Sequence, residues 1–145
     1  MSKISTDTLL WNILNEFEYI ALQQVCNIAF LIEHQFFIKY NTRLTNTSYT
    51  EYLSGVHSEE IEDIIRYNNR LEIDRTRINN ETVKMVVNPI TQLQSVDSDV
   101  QQICETIISE YGERNPSVIN KQIKSIIPKD SNITEEIDFN KLHEK

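Results

Sequence analysis

The chain has 145 residues, a formal net charge of −8 and 39% hydrophobic residues, which fits one domain around a single core. Its most apolar window, residues 19–40, is interrupted by Gln23, Gln24, Asn27, Glu33, His34 and Gln35, which excludes a membrane span there. The acidic surplus disfavours nonspecific nucleic-acid binding by the surface as a whole, and residues 1–8 lack the basic and apolar regions of a signal peptide, so a cytoplasmic protein is expected.

Ser5 or Thr6 is suited to cap a first helix, in which Leu9, Leu10, Ile13, Leu14 and Phe17 recur at three- and four-residue spacing. Residues 18–21 read as a short break. A long second helix follows from Leu22 to about Lys39, with Val25, Cys26, Ala29, Phe30, Ile32, Phe36 and Phe37 covering more than one stripe. A helix apolar over so much of its circumference belongs at the centre of a domain. Residues 41–48 form a polar loop, and Tyr49, Thr50 and Tyr52 favour a short extended segment.

Ser58 is placed to cap a third helix whose first turns hold Glu59, Glu60 and Glu62, where carboxylates meet the positive end of the helix dipole. Residues 71–87 alternate and turn at Asn79-Asn80, the pattern of a β-hairpin that Asn88-Pro89 ends. Ser95 is the expected cap of the next helix, which carries Val100, Ile103, Cys104, Ile107, Ile108 and Tyr111. Gly112 falls where a left-handed residue closes a helix, and Asn115-Pro116 opens the last one. Residues 1–128 therefore read as a single domain, and 129–145 as a partly ordered tail that docks through Ile133, Ile137, Phe139 and Leu142. The fold class expected is mainly α (α+β): a compact bundle of about five to six helices around a long buried central helix, with a short strand and a small β-hairpin in winged-helix-like order.

The sequence offers little for catalysis. His34, His57 and His143 share no metal-binding spacing, and Cys26 and Cys104 form no zinc pair, so neither a metal nor another cofactor is expected. Both cysteines lie on apolar helical faces, where the plain reading is a pair of buried free thiols. His34 reads as a hydrogen-bonded core residue, and His57 as a loop residue before the Ser58 cap. Two isolated glycines cannot build a phosphate loop. Glu59, Glu60, Glu62 and Asp63 splay around a helix rather than converge, so they read as a solvated helix start, and no enzyme is expected.

Three segments carry a resemblance. LQQVCNIAFLIEHQFFIKYN at 22–41, LTNTSYTEYLSGVHSEEIEDII at 44–65 and IISEYGERNPSVI at 107–119 match the order and spacing of "LQKLLYLADxxYYxxYG", "LTGLxYxxYxYGPxSxEIxxxI" and "ILxxYGxLSxxxL". In these segments the chain resembles the Panacea (SocA-like) family of bacterial antitoxins and phage-associated proteins. It departs at Ser54-Gly55-Val56, where the family has aromatic-Gly-Pro, and at Asn41, where the family has glycine; asparagine is the next best residue for a left-handed position.

The resemblance implies a non-catalytic protein that neutralises a co-encoded toxin or other effector by direct binding. Tyr49, Tyr52, Gly55, Val56 and His57 are the candidate partner-binding residues, as an exposed aromatic-edged turn in which Gly55 redirects the backbone. An alternative is a winged-helix-like DNA-binding regulator, with Arg66, Arg70, Arg75, Arg77 and Lys84 as its nucleic-acid contacts; residues 66–84 carry a local net charge of +2. A phage accessory protein that inhibits a host defence protein is a further alternative. The oligomeric state stays open, a homodimer included.

Overall fold

The computed structural model describes residues 4–17, 19–67, 74–78, 82–84, 97–112, 114–128 and 135–143. Helix α1, Thr6–Leu14, begins where the hydroxyl of Ser5 accepts the backbone N–H of Thr8 at 3.2 Å. Its inward residues Leu9, Leu10 and Ile13 are fully buried against α2, Leu22–Tyr40. Helix α2 is the axis of the molecule. Val25, Cys26, Ile28, Ala29, Phe30, Leu31, Ile32 and Phe36 are all buried, so the helix is enclosed on several sides, as its apolar circumference requires. It ends at Asn41, which takes the left-handed conformation at φ +55° while its N–H donates to the Phe37 carbonyl at 2.8 Å.

Strands β2, Thr50–Tyr52, and β3, Gly55–His57, form an antiparallel hairpin in which Tyr52 faces Gly55 across the turn Leu53-Ser54. The short extended segment expected around Tyr49, Thr50 and Tyr52 is thus only the first arm. The second arm contains His57, which is a strand residue and not loop. Helix α3, Glu59–Tyr67, follows, with Ser58 Oγ accepting the Ile61 N–H at 3.3 Å. Strands β4, Asp74–Ile78, and β5, Thr82–Lys84, pair antiparallel as the alternating pattern predicts. The Asn79-Asn80 turn, Leu71, Ile73, Met85, Val87 and Asn88-Pro89 lie outside the described residues.

A strand stands where a break was expected. Tyr19–Ala21 forms β1 and pairs antiparallel with β5, giving a three-stranded sheet in the order β1-β5-β4. Three residues are too short to show a period, so only the partner strand reveals them as a strand. The succession α1, β1, α2, α3, β4, β5 follows the winged-helix-like order, with the β2–β3 hairpin inserted between its second and third helices.

Helix α4, Ser98–Tyr111, buries Val100, Ile103, Cys104 and Ile107. Its N-cap is Asp97; Ser95, the expected cap, lies outside the described residues. Gly112 corrects a second expectation. At φ −57° it is right-handed, and what it supplies is room: a Cβ there would come within 3.1 Å of the Phe17 ring and 2.6 Å of the Ile108 carbonyl oxygen. Helix α5, Pro116–Ile126, opens with the predicted pair, Asn115 Oδ1 accepting the Ser117 N–H at 2.9 Å and Pro116 in the first turn. Five α-helices and one 3-10 turn, Phe139–Lys141, make the described body mainly helical.

The described tail residues 135–143 dock as their apolar positions predict. Ile137 and Phe139 are buried, Leu142 packs partly against the core, and Ile133 lies outside the described residues. The Ile137 N–H donates to the Tyr49 carbonyl at 2.7 Å, and the His143 N–H donates to the Ile126 carbonyl at 2.8 Å. Among the described residues, no helix is long and apolar enough to cross a membrane.

Candidate functional site

The β2–β3 turn is gripped from two helices. From α2, Asn27 Oδ1 accepts the Val56 N–H at 3.0 Å and Asn27 Nδ2 donates to the Ser54 carbonyl at 3.1 Å. One helical turn earlier, Gln23 Nε2 donates to the Val56 carbonyl at 2.7 Å and to Asn27 Oδ1 at 3.1 Å, while Ser54 Oγ donates to Gln23 Oε1 at 3.2 Å. From α5, Asn120 Nδ2 donates to the Leu53 carbonyl at 3.0 Å. Lys124 Nζ donates to Glu51 Oε2 at 2.8 Å and to the Tyr52 carbonyl. The carbonyls of three successive residues, Tyr52, Leu53 and Ser54, are therefore each held by a side chain from the body. Such groups would otherwise satisfy themselves with water.

Gly55 has its reason here. Its φ is +133°, a conformation that residues with a Cβ rarely adopt. A Cβ at this position would also lie 2.7 Å from Asn27 Cγ. Handedness and close approach to the clamping amide both demand glycine. Asn27 itself is fully buried, and its fixed partners remove the desolvation cost of a buried amide.

What the clamp presents is apolar. Leu53 is 87% exposed at the tip, and Tyr52 beside it is 46% exposed. The Tyr52 ring stacks on His57 at 4.9 Å between centroids, and His57 Nε2 lies 3.1 Å from Glu62 Oε1 on α3. An open cleft of about 670 Å³ adjoins the tip, bounded by Leu22, Tyr52, His57, Glu62, Pro116 and Asn120. Asn120 Oδ1 is the one buried side-chain acceptor without a partner among the described residues.

The five residues expected to form an exposed partner surface do not all reach it. Tyr49 is 1% exposed and Val56 fully buried, and Gly55 is covered by Asn27. Tyr52 and the edge of His57 are the members at the surface, and Leu53, which the sequence reading passed over, is the most exposed. Of the alternative nucleic-acid set, Arg66 sits on α3, Arg75 and Arg77 on β4 and Lys84 on β5; Arg70 lies outside the described residues.

Tyr49 belongs to a second network, centred on the fully buried Glu33 of α2. Tyr49 Oη donates to Glu33 Oε2 at 2.7 Å, and Thr45 Oγ1 donates to the same oxygen at 2.8 Å. Arg43 Nη2 and the Thr45 N–H both donate to Glu33 Oε1 at 3.1 Å. Burial pushes the Glu33 carboxyl above the ordinary value, and Arg43, Tyr49 and Thr45 pull against that shift. The Arg43 guanidinium also lies 3.9 Å from the centre of the Phe139 ring, which ties the tail to this network.

His34 is the hydrogen-bonded core residue expected, with Nε2 2.7 Å from the His143 carbonyl oxygen. Cys26 and Cys104 are free and buried, and burial pushes each thiol up to about 12, far from a reactive thiolate. Among the described residues, no group of three or more His, Cys, Asp and Glu side chains is placed to hold a metal ion.

The polar interruptions of the α2 sequence carried a signal for both networks. A polar residue on an all-round apolar helix must be paired when buried, so the buried Asn27, Glu33 and His34 each implied a partner elsewhere in the chain. No protein-family model, curated protein or solved structure matches the chain.

Proposed function

We propose that this protein is a non-catalytic protein-binding module of the antitoxin kind that its sequence resembles, acting in the cytoplasm by binding a co-encoded toxin or other effector and neutralising it through direct contact. The observation that carries this reading is Leu53, an aliphatic side chain held out in solvent by a turn that two helices immobilise. Anchors of this kind, rigid before binding, lose little conformational entropy when a partner covers them. A phage protein that inhibits a host defence protein is by physics the same kind of molecule, and genomic context separates the two.

The test is co-expression with the product of the adjacent gene, followed by size-exclusion chromatography with light scattering. A complex of fixed stoichiometry that relieves the neighbour's toxicity and survives high salt is the expected result. Absence of any such complex overturns the reading.

One observation favours a second reading, DNA binding: the β1-β5-β4 sheet completes a winged-helix-like order, with Arg75 and Arg77 on its β4 strand. Against it, the N-terminal residues of a recognition helix are those that approach the bases, and on α3 these are Glu59, Glu60, Glu62 and Asp63. A DNA complex whose affinity falls steeply with salt, and falls less steeply after Arg75→Ala and Arg77→Ala, would favour it over the first.

A further inference from the structure

Two features meet at the hairpin. Glu62 borders the same cleft as Tyr52, so the exposed tip runs directly into the outer face of α3. On that face Glu59 and Glu62 are three residues apart and share one side of the helix; Asp63 adjoins them, and Glu59 and Asp63 are exposed. Glu60 is turned to a different task, accepting the Ser48 N–H at 3.1 Å. Residues 51–63 contain no Lys or Arg, and Lys124, the cation at the tip, is engaged by Glu51 and the Tyr52 carbonyl. The result is an apolar projection bordered by carboxylates.

We infer that this surface, Tyr52-Leu53 together with Glu59, Glu62 and Asp63, is where the partner docks, and that the partner presents a basic segment: an apolar side chain covering Leu53, with Lys or Arg set against the α3 carboxylates. The inference rests on the protein-binding reading above. Burial of the exposed Leu53 side chain supplies affinity, while the carboxylates select sign and speed encounter. A second copy of this chain is a poor occupant. A two-fold contact on this face would set the same acids against themselves, between two bodies that each carry −8. Nucleic acid is a poorer one, since phosphates would face three carboxylates.

The positive ends of α2 and α5 also border the cleft, through Leu22 and Pro116. Each such end carries only about half an elementary charge, less than the formal charges of the α3 carboxylates.

The test is titration of the full chain, observed by amide NMR, with a synthetic amphipathic helical peptide of leucine and lysine, and with its counterpart in which glutamate replaces lysine. Expected are shifts confined to residues 52–54 and 59–63 with the basic peptide and none with the acidic one. Leu53→Ser and Asp63→Lys should each weaken the affinity about tenfold, and Lys141→Glu, outside the docking face, should leave it unchanged. Both Leu53 and Asp63 are exposed, so these variants keep the fold, which circular dichroism verifies.

Shifts spread over the surface or centred on β4–β5, equal response to the acidic peptide, or unchanged affinity in Leu53→Ser and Asp63→Lys would each overturn the inference. If the co-encoded complex forms while the peptide maps elsewhere, the docking face is wrong and the protein-binding reading stands. Loss of the complex alone, with the peptide mapped as expected, strikes the antitoxin role instead.

Discussion

Asn27 and Glu33 lie six positions apart on α2, both fully buried, yet they hold their surroundings by different forces. Asn27 is neutral and binds one turn, meeting backbone groups at Ser54 and Val56 with fixed donors and acceptors. Glu33 is an acid that gathers Arg43, Thr45 and Tyr49, and through Arg43 and Phe139 it reaches the tail. Removing the neutral amide leaves the Val56 N–H and the Ser54 carbonyl without their partner but strands no charge. A buried acid leaves a cation and two hydroxyls without their acceptor, so the region around it fails as a unit. The comparison separates two jobs: the Glu33 network secures the body, and the Asn27 clamp aims a surface feature.

The sharpest way to break this comparison is Glu33→Ala. Unpairing a buried charge network costs about 3–5 kcal/mol, and chemical denaturation should show a loss of that size. A loss no greater than that of Asn27→Ala would mean that the two networks carry similar weight.

Next in size is Gly55→Val. A β-branched residue at φ +133°, pressed on Asn27, should cost about 2–3 kcal/mol in strain and broken hydrogen bonds. Hydrogen exchange should quicken in β2 and β3 while α4 stays protected. If the amides of both regions quicken alike, the hairpin is not a separate positioning device.

The smallest effect is a labelling difference. Folded Cys26 and Cys104 are raised to about 12, so at pH 8 a thiol reagent reaches them only through opening of the structure. The sign follows from the burial: reactivity rises when a thiol becomes exposed and its pKa returns towards 9.0. Cys26 neighbours Asn27 and the Ser58 backbone, so Gly55→Val should accelerate labelling of Cys26 more than of Cys104, as mass spectrometry of the labelled peptides would show. Equal acceleration would make the opening global.

Much of the fold is legible in the sequence. The Ser5, Ser58 and Asn115-Pro116 starts, the left-handed Asn41, the buried circumference of α2 and the hairpin of β4 and β5 all arise from patterns within one or two turns of chain. The site was readable only in part. Gly55 announced a special turn, but the residue that made it special, Asn27, is 28 positions away and looked like a polar lapse in an apolar helix. Tyr49 has the composition of a surface aromatic and is core, because Glu33 supplies an acceptor for its hydroxyl. Gly112 looked like a left-handed stop and is a space-saving residue against Phe17.

By itself the sequence determined the helices, the caps at Ser5, Ser58 and Asn115 and the acidity of residues 51–63, since periodicity, capping and charge act between near neighbours. Only the tertiary structure decided that Tyr19–Ala21 is a strand, that Tyr49 turns inward, and that Leu53 is held out between Gln23, Asn27, Asn120 and Lys124. Strand pairing and the satisfaction of buried polar groups join residues tens of positions apart, and such a partnership has no local period to betray it.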